Sequence, residues 1–313
     1  MTDVSIIIAA WNAERFIGLA LTDAMAQQGV SLEVIVADDA STDGTGAVVA
    51  QVDDPRVRYI RLPQNQGPAG ARNAAFEAAR GEWLMVLDAD DRIAPNRAAT
   101  LIDLARHEQA DIVADNFQVL AQEGGAPVRL HIPETLDGSV ENITLDGYVR
   151  ANQLYQKAPS YGYLKPLFRR AFLAEHGLAY QPDLRVGEDY DLVAQALARG
   201  ARFVRHRSAG YTYVTHSGSI SHRLRPADAW AMVAAEERFQ RDAPGLGAET
   251  RELLRSRLEA LRDGAAFADM VEALKARRPG AFASALARRP LAARHFSMPI
   301  AVRLKRLRRG GEA

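Results

Sequence analysis

The chain has 313 residues, 48% of them hydrophobic and 25% charged, with 39 basic side chains against 39 acidic ones. That balance suits a globular protein of one large domain or two ordinary ones, and a net charge of zero gives the molecule as a whole no affinity for nucleic acid. Cysteine is absent, which excludes disulfides, thiolate catalysis and cysteine-bound metal.

Residues 4–10, VSIIIAA, are short, β-branched and bounded by polar residues, which predicts a buried strand. Residues 13–28 place Phe16, Ile17, Ala20, Leu21 and Ala24 on one face of a helix. A second buried strand spans 32–37 and runs into Asp38 and Asp39. A short helix over 45–52, a strand over 57–62 and an alanine-rich helix over 69–79 follow. The next strand, 82–87, ends in Asp88, Ala89, Asp90 and Asp91. A helix over 96–107 and a strand over 111–120 complete the series. Strands alternating with helices through short connections imply a parallel sheet covered on both faces.

In an open parallel sheet, ligands bind outside the carboxyl ends of the strands. Here those ends carry Trp11-Asn12, then Asp38-Asp39-Ala40-Ser41-Thr42-Asp43-Gly44, then Asp88-Ala89-Asp90-Asp91, so carboxylates gather on one rim. Like charges this close repel one another where water is scarce. A divalent cation, Mg²⁺ or Mn²⁺, would supply the missing charge through the hard oxygens of Asp88 and Asp90 and would also hold a diphosphate. The alternative is an aspartate-rich cap before Pro95 and its helix. The second acidic rim at Asp38-Asp39 favours metal and nucleotide. The glycine-bearing stretch 65–73 enters its helix on the same rim, where early amides and Arg72 could meet a phosphate or a neighbouring carboxylate. Neither G-x-G-x-x-G after the first strand nor G-x-x-x-x-G-K-[ST] occurs, so a dinucleotide enzyme and a P-loop NTPase are both excluded.

Several stretches then fall into one pattern: Ile8-Ala9-Ala10-Trp11-Asn12-Ala13-Glu14, residues 33–45 around Asp38-Asp39, Asn65-x-Gly67-x-x-x-Ala71-Arg72-Asn73, Leu87-Asp88-Ala89-Asp90-Asp91, and Gly187-Glu188-Asp189. Over roughly residues 3 to 225 the chain resembles an inverting family 2 glycosyltransferase with the GT-A fold, of the exopolysaccharide-biosynthesis type. The usual proline in the first strand's exit is missing, which removes backbone stiffness but no chemical group.

The resemblance implies an open, mainly parallel GT-A sheet flanked by helices over residues 1–225, with a helical, basic C-terminal extension over 226–313. It implies a nucleotide-sugar donor, most often UDP-linked, and transfer of a hexose to a saccharide or lipid-linked saccharide. Ala9, Trp11, Asn12, Glu14, Asp39, Arg72, Asp88, Ala89 and Lys165 would form the nucleotide-sugar site, with Asp39 on uracil and Asp88 facing the ribose. Asp90, with Asp88 and His216, would bind the metal. Asp189 would be the base that takes the acceptor proton, with Glu188 as the competing candidate. A helix N-terminus at Asp189 favours its charged form. Asp38 reads as a structural partner, and Asp91 either joins the site or caps the next helix. Lys165 either meets the diphosphate or is a surface lysine, and His216 either contributes at the site or is a solvated side chain. Trp83 and Trp230 read as core or helix packing. A nucleotidyltransferase would need a basic phosphate-binding signature near the start, which Ala9-Ala10-Trp11-Asn12 does not offer. A non-catalytic sugar-nucleotide or glycan binder would not need Asp189.

The C-terminal segment differs in charge. Eleven Lys and Arg against two Glu give residues 271–313 a net charge of +9, leaving −9 on the remainder. Residues 291–309 mix apolar and basic side chains as interfacial segments do, interrupted by Pro299, so the tail either meets an anionic inner membrane surface or packs on the acidic body. No secretory leader is visible and no stretch approaches the roughly 18 apolar residues of a spanning helix. The expected location is cytoplasmic, with peripheral contact at the membrane.

Overall fold

A strand with no polar face is stable only inside a sheet that is covered on both sides. In the computed structural model, which describes residues 2–121, 128–156, 158–215 and 224–296, three such elements and a partly exposed edge strand, Val57–Arg61, set the frame. They are β1 (Val4–Ala10), β2 (Leu32–Asp38), β3 (Val57–Arg61) and β4 (Trp83–Val86), paired in parallel in the order β3-β2-β1-β4. Ile6, Ile7 and Ile8 are wholly buried, each burial stabilising the fold by about 1.5–3 kcal/mol. The crossovers are α1 (Ile17–Met25), α2 (Thr45–Ala50) and α3 (Gly67–Ala78).

Helix α1 is shorter than the apolar periodicity over 13–28 suggests. Asn12 has a left-handed φ of 50°, and the amides of Ala13 and Glu14 donate to Thr45 Oγ1 and Asp43 Oδ2. The first turn is therefore occupied by the neighbouring loop, and Phe16 and Ile17 bond back to the Ala13 carbonyl instead.

The second half of the sheet departs from parallel. Along the chain lie β5 (Arg92–Ile93), α4 (Arg97–Glu108), β6 (Ile112–Ala121), β7 (Arg129–Leu130), β8 (Val140–Ile143), α5 (Leu145–Ala151), β9 (Leu167–Arg169), α6 (Arg170–Glu175), α7 (Glu188–Ala198) and β10 (Phe203–Thr215). The sheet continues β4-β9-β6-β10-β5, with β9 antiparallel to both β4 and β6. Strand β10 runs parallel to β6, with a register break between His206 and Tyr211. The fold is the expected open α/β sheet with flanking helices, and its parallel character is concentrated on the β1–β4 side. Two- to four-residue strands such as β7, β8 and β9 leave too short a pattern to read from sequence.

Three helices follow: α8 (Pro226–Asp242) and α10 (Pro279–Arg288), each opened by a proline where its missing N–H is harmless, and between them α9 (Ala248–Lys275). Phe239, Leu246 and Leu254 join the main core, while Ala229, Val233, Leu258, Leu261 and Ala265 form a cluster of their own. Trp83 is buried as expected. Trp230 is not: it is 39% exposed, and its indole N–H donates to Asp269 at 3.0 Å.

Candidate active site

The rim begins with two interlocked loops after β1 and β2. The Asn12 amide donates to Ser41 Oγ at 2.9 Å, and Asn12 Oδ1 accepts from the Thr42 amide at 2.8 Å. Glu14 Oε2 accepts from the Gly44 amide at 2.9 Å, and a side chain at position 44 would drive a Cβ to 2.6 Å from that carboxylate. Ala9 lies at the β1 end opposite Ala37, and beyond it Trp11 is 51% exposed. These residues make a ledge built from backbone and short side chains.

Asp38 is fully buried and accepts from the Ser41 amide, Tyr59 and Arg61, the structural role its position suggested. Asp39, 3% exposed, accepts from the amides of Gln66 at 2.6 Å and Gly67 at 2.8 Å, where α3 begins. The early amides of that helix therefore meet a carboxylate of the protein itself. Such charge-assisted bonds suit a helix N-terminus, where donors are unpaired and the dipole is positive.

One turn further along, α3 reaches the opposite wall. Asn73 clamps Tyr180 in both directions, Nδ2 to the carbonyl at 2.8 Å and Oδ1 from the amide at 2.9 Å, fixing the segment that leads to α7. Gly187, with φ 84°, turns the chain into that helix. The first two residues of α7 are Glu188 and Asp189.

Arg72, 4% exposed, joins three carboxylates. Nη2 bonds Asp88 Oδ1 at 2.7 Å, and Nη1 bonds Glu188 Oε1 at 2.7 Å and Asp189 Oδ1 at 3.1 Å. Its guanidinium also lies 5.3 Å from the Tyr180 ring centre. Lys165, half-buried at the same point, places Nζ 2.8 Å from Asp88 Oδ2 and 3.0 Å from Asp189 Oδ2. So two cations neutralise the crowded strand end, and they tie β4 to α7. Burial alone would raise the Asp88 carboxyl, but Lys165 and Arg72 outweigh it and hold it well below the usual carboxylate range. Burial also opposes the charge of Lys165, yet Asp189 and Asp88 raise its pKa. Glu188 differs: burial, and then Asp189 beside it, push its carboxyl upward against Arg72.

The remaining aspartates separate. Asp91, 1% exposed, accepts from Tyr211 Oη at 2.6 Å and from the Val214 amide at 2.8 Å. It anchors the loop to β10 and caps no helix, since α4 starts six residues later without a side-chain cap. Burial, and then Asp88 and Asp90, raise its carboxyl well above the ordinary value. Ala89 is buried and Asp90 half-buried between them. His216 lies outside the described residues. Arg72, Lys165, Asp88, Glu188 and Asp189 thus come together, while Asp39, Asn12, Glu14 and Trp11 line the other end of the rim. Sequence reasoning assigned no role to Tyr211 or to Tyr180.

With this geometry in view, similarity to other proteins is informative. A family model described as Glycosyl transferase family 2 matches residues 5–177. The succinoglycan biosynthesis protein ExoO of Rhizobium meliloti (strain 1021) is 43% identical over 306 residues, covering 97% of this chain and 87% of that protein. ExoU, a succinoglycan biosynthesis protein of the same organism, is 41% identical over 238 residues, 72% of this chain and 66% of its own. Among solved structures, S. aureus TarS 1–349 in complex with UDP-GlcNAc aligns with a TM-score of 0.66 at 17% identity over 92% of each chain, a likeness of fold.

Proposed function

The chain belongs to glycosyl transferase family 2 and is a glycosyltransferase, and from that premise we propose that it moves a hexose from a UDP-sugar to a glycan or lipid-linked glycan, with inversion, in surface-polysaccharide assembly. The succinoglycan relatives support the polysaccharide, and the UDP-GlcNAc complex of a protein sharing the fold supports the donor. What supports the chemistry most is the position of Asp189. It opens a helix, faces the strand end that carries Asp88, and lies within 3.1 Å of Arg72 and 3.0 Å of Lys165. A carboxylate so placed takes the acceptor hydroxyl proton as that oxygen attacks C1 of the sugar and the C1–O bond to UDP breaks. Glu188 is the poorer candidate: it is more deeply buried, and burial and then Asp189 push its carboxyl upward. Arg72 and Lys165 face the departing diphosphate as charge develops on it. Trp11, Asn12 and Asp39 form the nucleoside end, with Ala9 and Glu14 shaping the ledge.

Among the described residues no group of three His, Asp or Glu side chains is arranged for a metal, and both oxygens of Asp88 already meet cations. Asp88 would join the metal set once Lys165 or Arg72 turns from the carboxylate to the diphosphate. A Mg²⁺ or Mn²⁺ would rest on Asp90 and on the donor's own phosphate oxygens, a mode that suits magnesium-type ions. When bound, it adds charge neutralisation at the leaving group.

The division into a sugar-transfer domain over 1–225 and a helical extension over 226–313 is part of the same proposal, supported by the separate apolar clusters of the last helices. So is a cytoplasmic enzyme resting on the inner membrane face. Leu274 and Leu291 are 52% and 70% exposed near exposed Lys275, Arg277 and Arg278. Among the described residues no helix is long and apolar enough to cross a membrane, and residues 297–313 of the basic tail lie outside them.

The experiment is UDP release from a panel of UDP-sugars, with GDP-sugars as controls, with and without Mn²⁺, and with saccharide acceptors. We expect one UDP-sugar to turn over in a metal-dependent way, faster with acceptor and with inverted anomeric configuration by NMR. Binding of UDP without turnover of any donor would make the protein a non-catalytic binder.

A further inference from the structure

Beneath the site, and outside everything assigned above, lies a second charged pair. Arg97, the first residue of α4, donates Nε and Nη2 to Asp115 Oδ1 at 3.0 and 2.8 Å, and both side chains are 1% exposed. Two physical costs attend this arrangement. A cation at a helix N-terminus opposes the dipole, and a buried ion pair contributes little net stability once desolvation is counted. Its contacts indicate what it does instead. Arg97 Nη2 also donates to the backbone carbonyl of Lys165 at 2.6 Å, and its guanidinium lies 5.1 Å from the Tyr211 ring centre. Tyr211 accepts from the Asp88 amide at 3.2 Å and donates to Asp91 at 2.6 Å. Asp115 Oδ2 takes the Gly210 amide at 2.7 Å, at the β10 register break, which sets Tyr211 in place. Any side chain at 210 would come within 2.8 Å of that oxygen.

We propose that Arg97, held by Asp115, is the positioning residue of the active site: one guanidinium fixes the backbone of Lys165 and the ring of Tyr211, and so aligns the Lys165 ammonium with Asp88 and Asp189. The planar fork matters because it bonds Asp115 and the Lys165 carbonyl at once while its carbon lies over the Tyr211 ring, which a lysine ammonium cannot reproduce. Arg97 touches neither substrate nor reacting atoms in this role. It acts through Lys165 and Tyr211.

The nucleotide arm of the test rests on the reading of Lys165 as a diphosphate contact; the other arm does not. Arg97→Lys keeps the charge, and Arg97→Met/Asp115→Leu removes the pair without leaving an orphan charge, so at least one variant is expected to fold, as judged by a cooperative melt. In each, UDP affinity should fall about tenfold, while uridine affinity stays within about twofold. On a Lys165→Met background the same Arg97 change should have almost no further effect on UDP affinity, the signature of action through one group. Independently of any nucleotide, amine-selective acylation followed by mass spectrometry should find Lys165 protected in the native protein and about tenfold more reactive in the variants. Equal loss of UDP and uridine affinity, additive effects on the Lys165→Met background, or unchanged Lys165 reactivity would each overturn the proposal. Native protein that binds neither UDP nor uridine would instead refute the donor reading, leaving the acylation result to decide Arg97.

Discussion

At the end of β2, Asp39 is held by two backbone amides only 27 and 28 residues along the chain. At the end of β4, Asp88 is held by the side-chain cations of Arg72 and Lys165, and the carboxylates they share come from α7, 116 and 117 residues beyond Arg72. The end of the rim proposed for the nucleoside is therefore a rigid piece of local backbone, while the end proposed for catalysis is a knot of long side chains drawn from four separate elements. Backbone donors cannot be exchanged for a ligand's charge without unravelling a helix start. Side-chain cations can: in the proposed function Lys165 and Arg72 have only to turn from a carboxylate to a phosphate. The difference separates a surface that recognises from a surface that responds.

Four experiments break or sharpen this contrast. Asp189→Asn should have the largest effect, a fall in transfer of about 10²–10⁴-fold, the range for loss of a general base, with UDP affinity near native by calorimetry. A comparable loss of UDP affinity would move Asp189 to the donor side and erase the distinction. Arg72→Met should cost about 3–5 kcal/mol of folding stability in denaturant melts, because it leaves one buried and two half-buried carboxylates facing one lysine. Asp39→Asn should cost about 1–3 kcal/mol, since two charge-assisted bonds to amides are weakened while one acceptor oxygen remains. If it cost as much as Arg72→Met, the two ends would be equally dependent on charge.

The one stabilising change belongs to Asp191, in the same first turn of α7 but without a cation bonded to it. It is 5% exposed, its Oδ2 has no hydrogen-bond partner, and burial followed by Glu236 pushes its carboxyl up to about 6. The folded state then binds more protons than the unfolded one between the ordinary carboxylate value and pH 6, so this group removes stability as pH rises through that window. Asp191→Asn should stabilise the protein at pH 7.5 by about 1–3 kcal/mol, and the gain should vanish near pH 4. A gain independent of pH would mean that packing, rather than charge, is responsible. The contrast with Asp88, whose carboxyl its cations drive downward, would show what those cations contribute.

The order of strands and helices through β6 was legible because it depends on local repetition. Runs such as Ile6-Ile7-Ile8 and the apolar face of α1 bury wherever a chain folds, and strand ends on an open sheet fall on one rim by topology alone. Asp39, Asp88 and Asp189 could be singled out for the same reason: each stands at an element's end, in a pattern of short reach. Tertiary structure decided which groups neutralise them. That Arg72 serves Asp88, Glu188 and Asp189 together, that Lys165 pairs with Asp88 and Asp189 instead of standing on the surface, and that Asp91 turns inward to Tyr211 all depend on β9 and β10 entering the sheet beside β4 and β6. No sequence period marks a charge pair between elements a hundred residues apart. Its geometry exists only once desolvation makes leaving either partner alone too costly, and that condition is set by the packed fold.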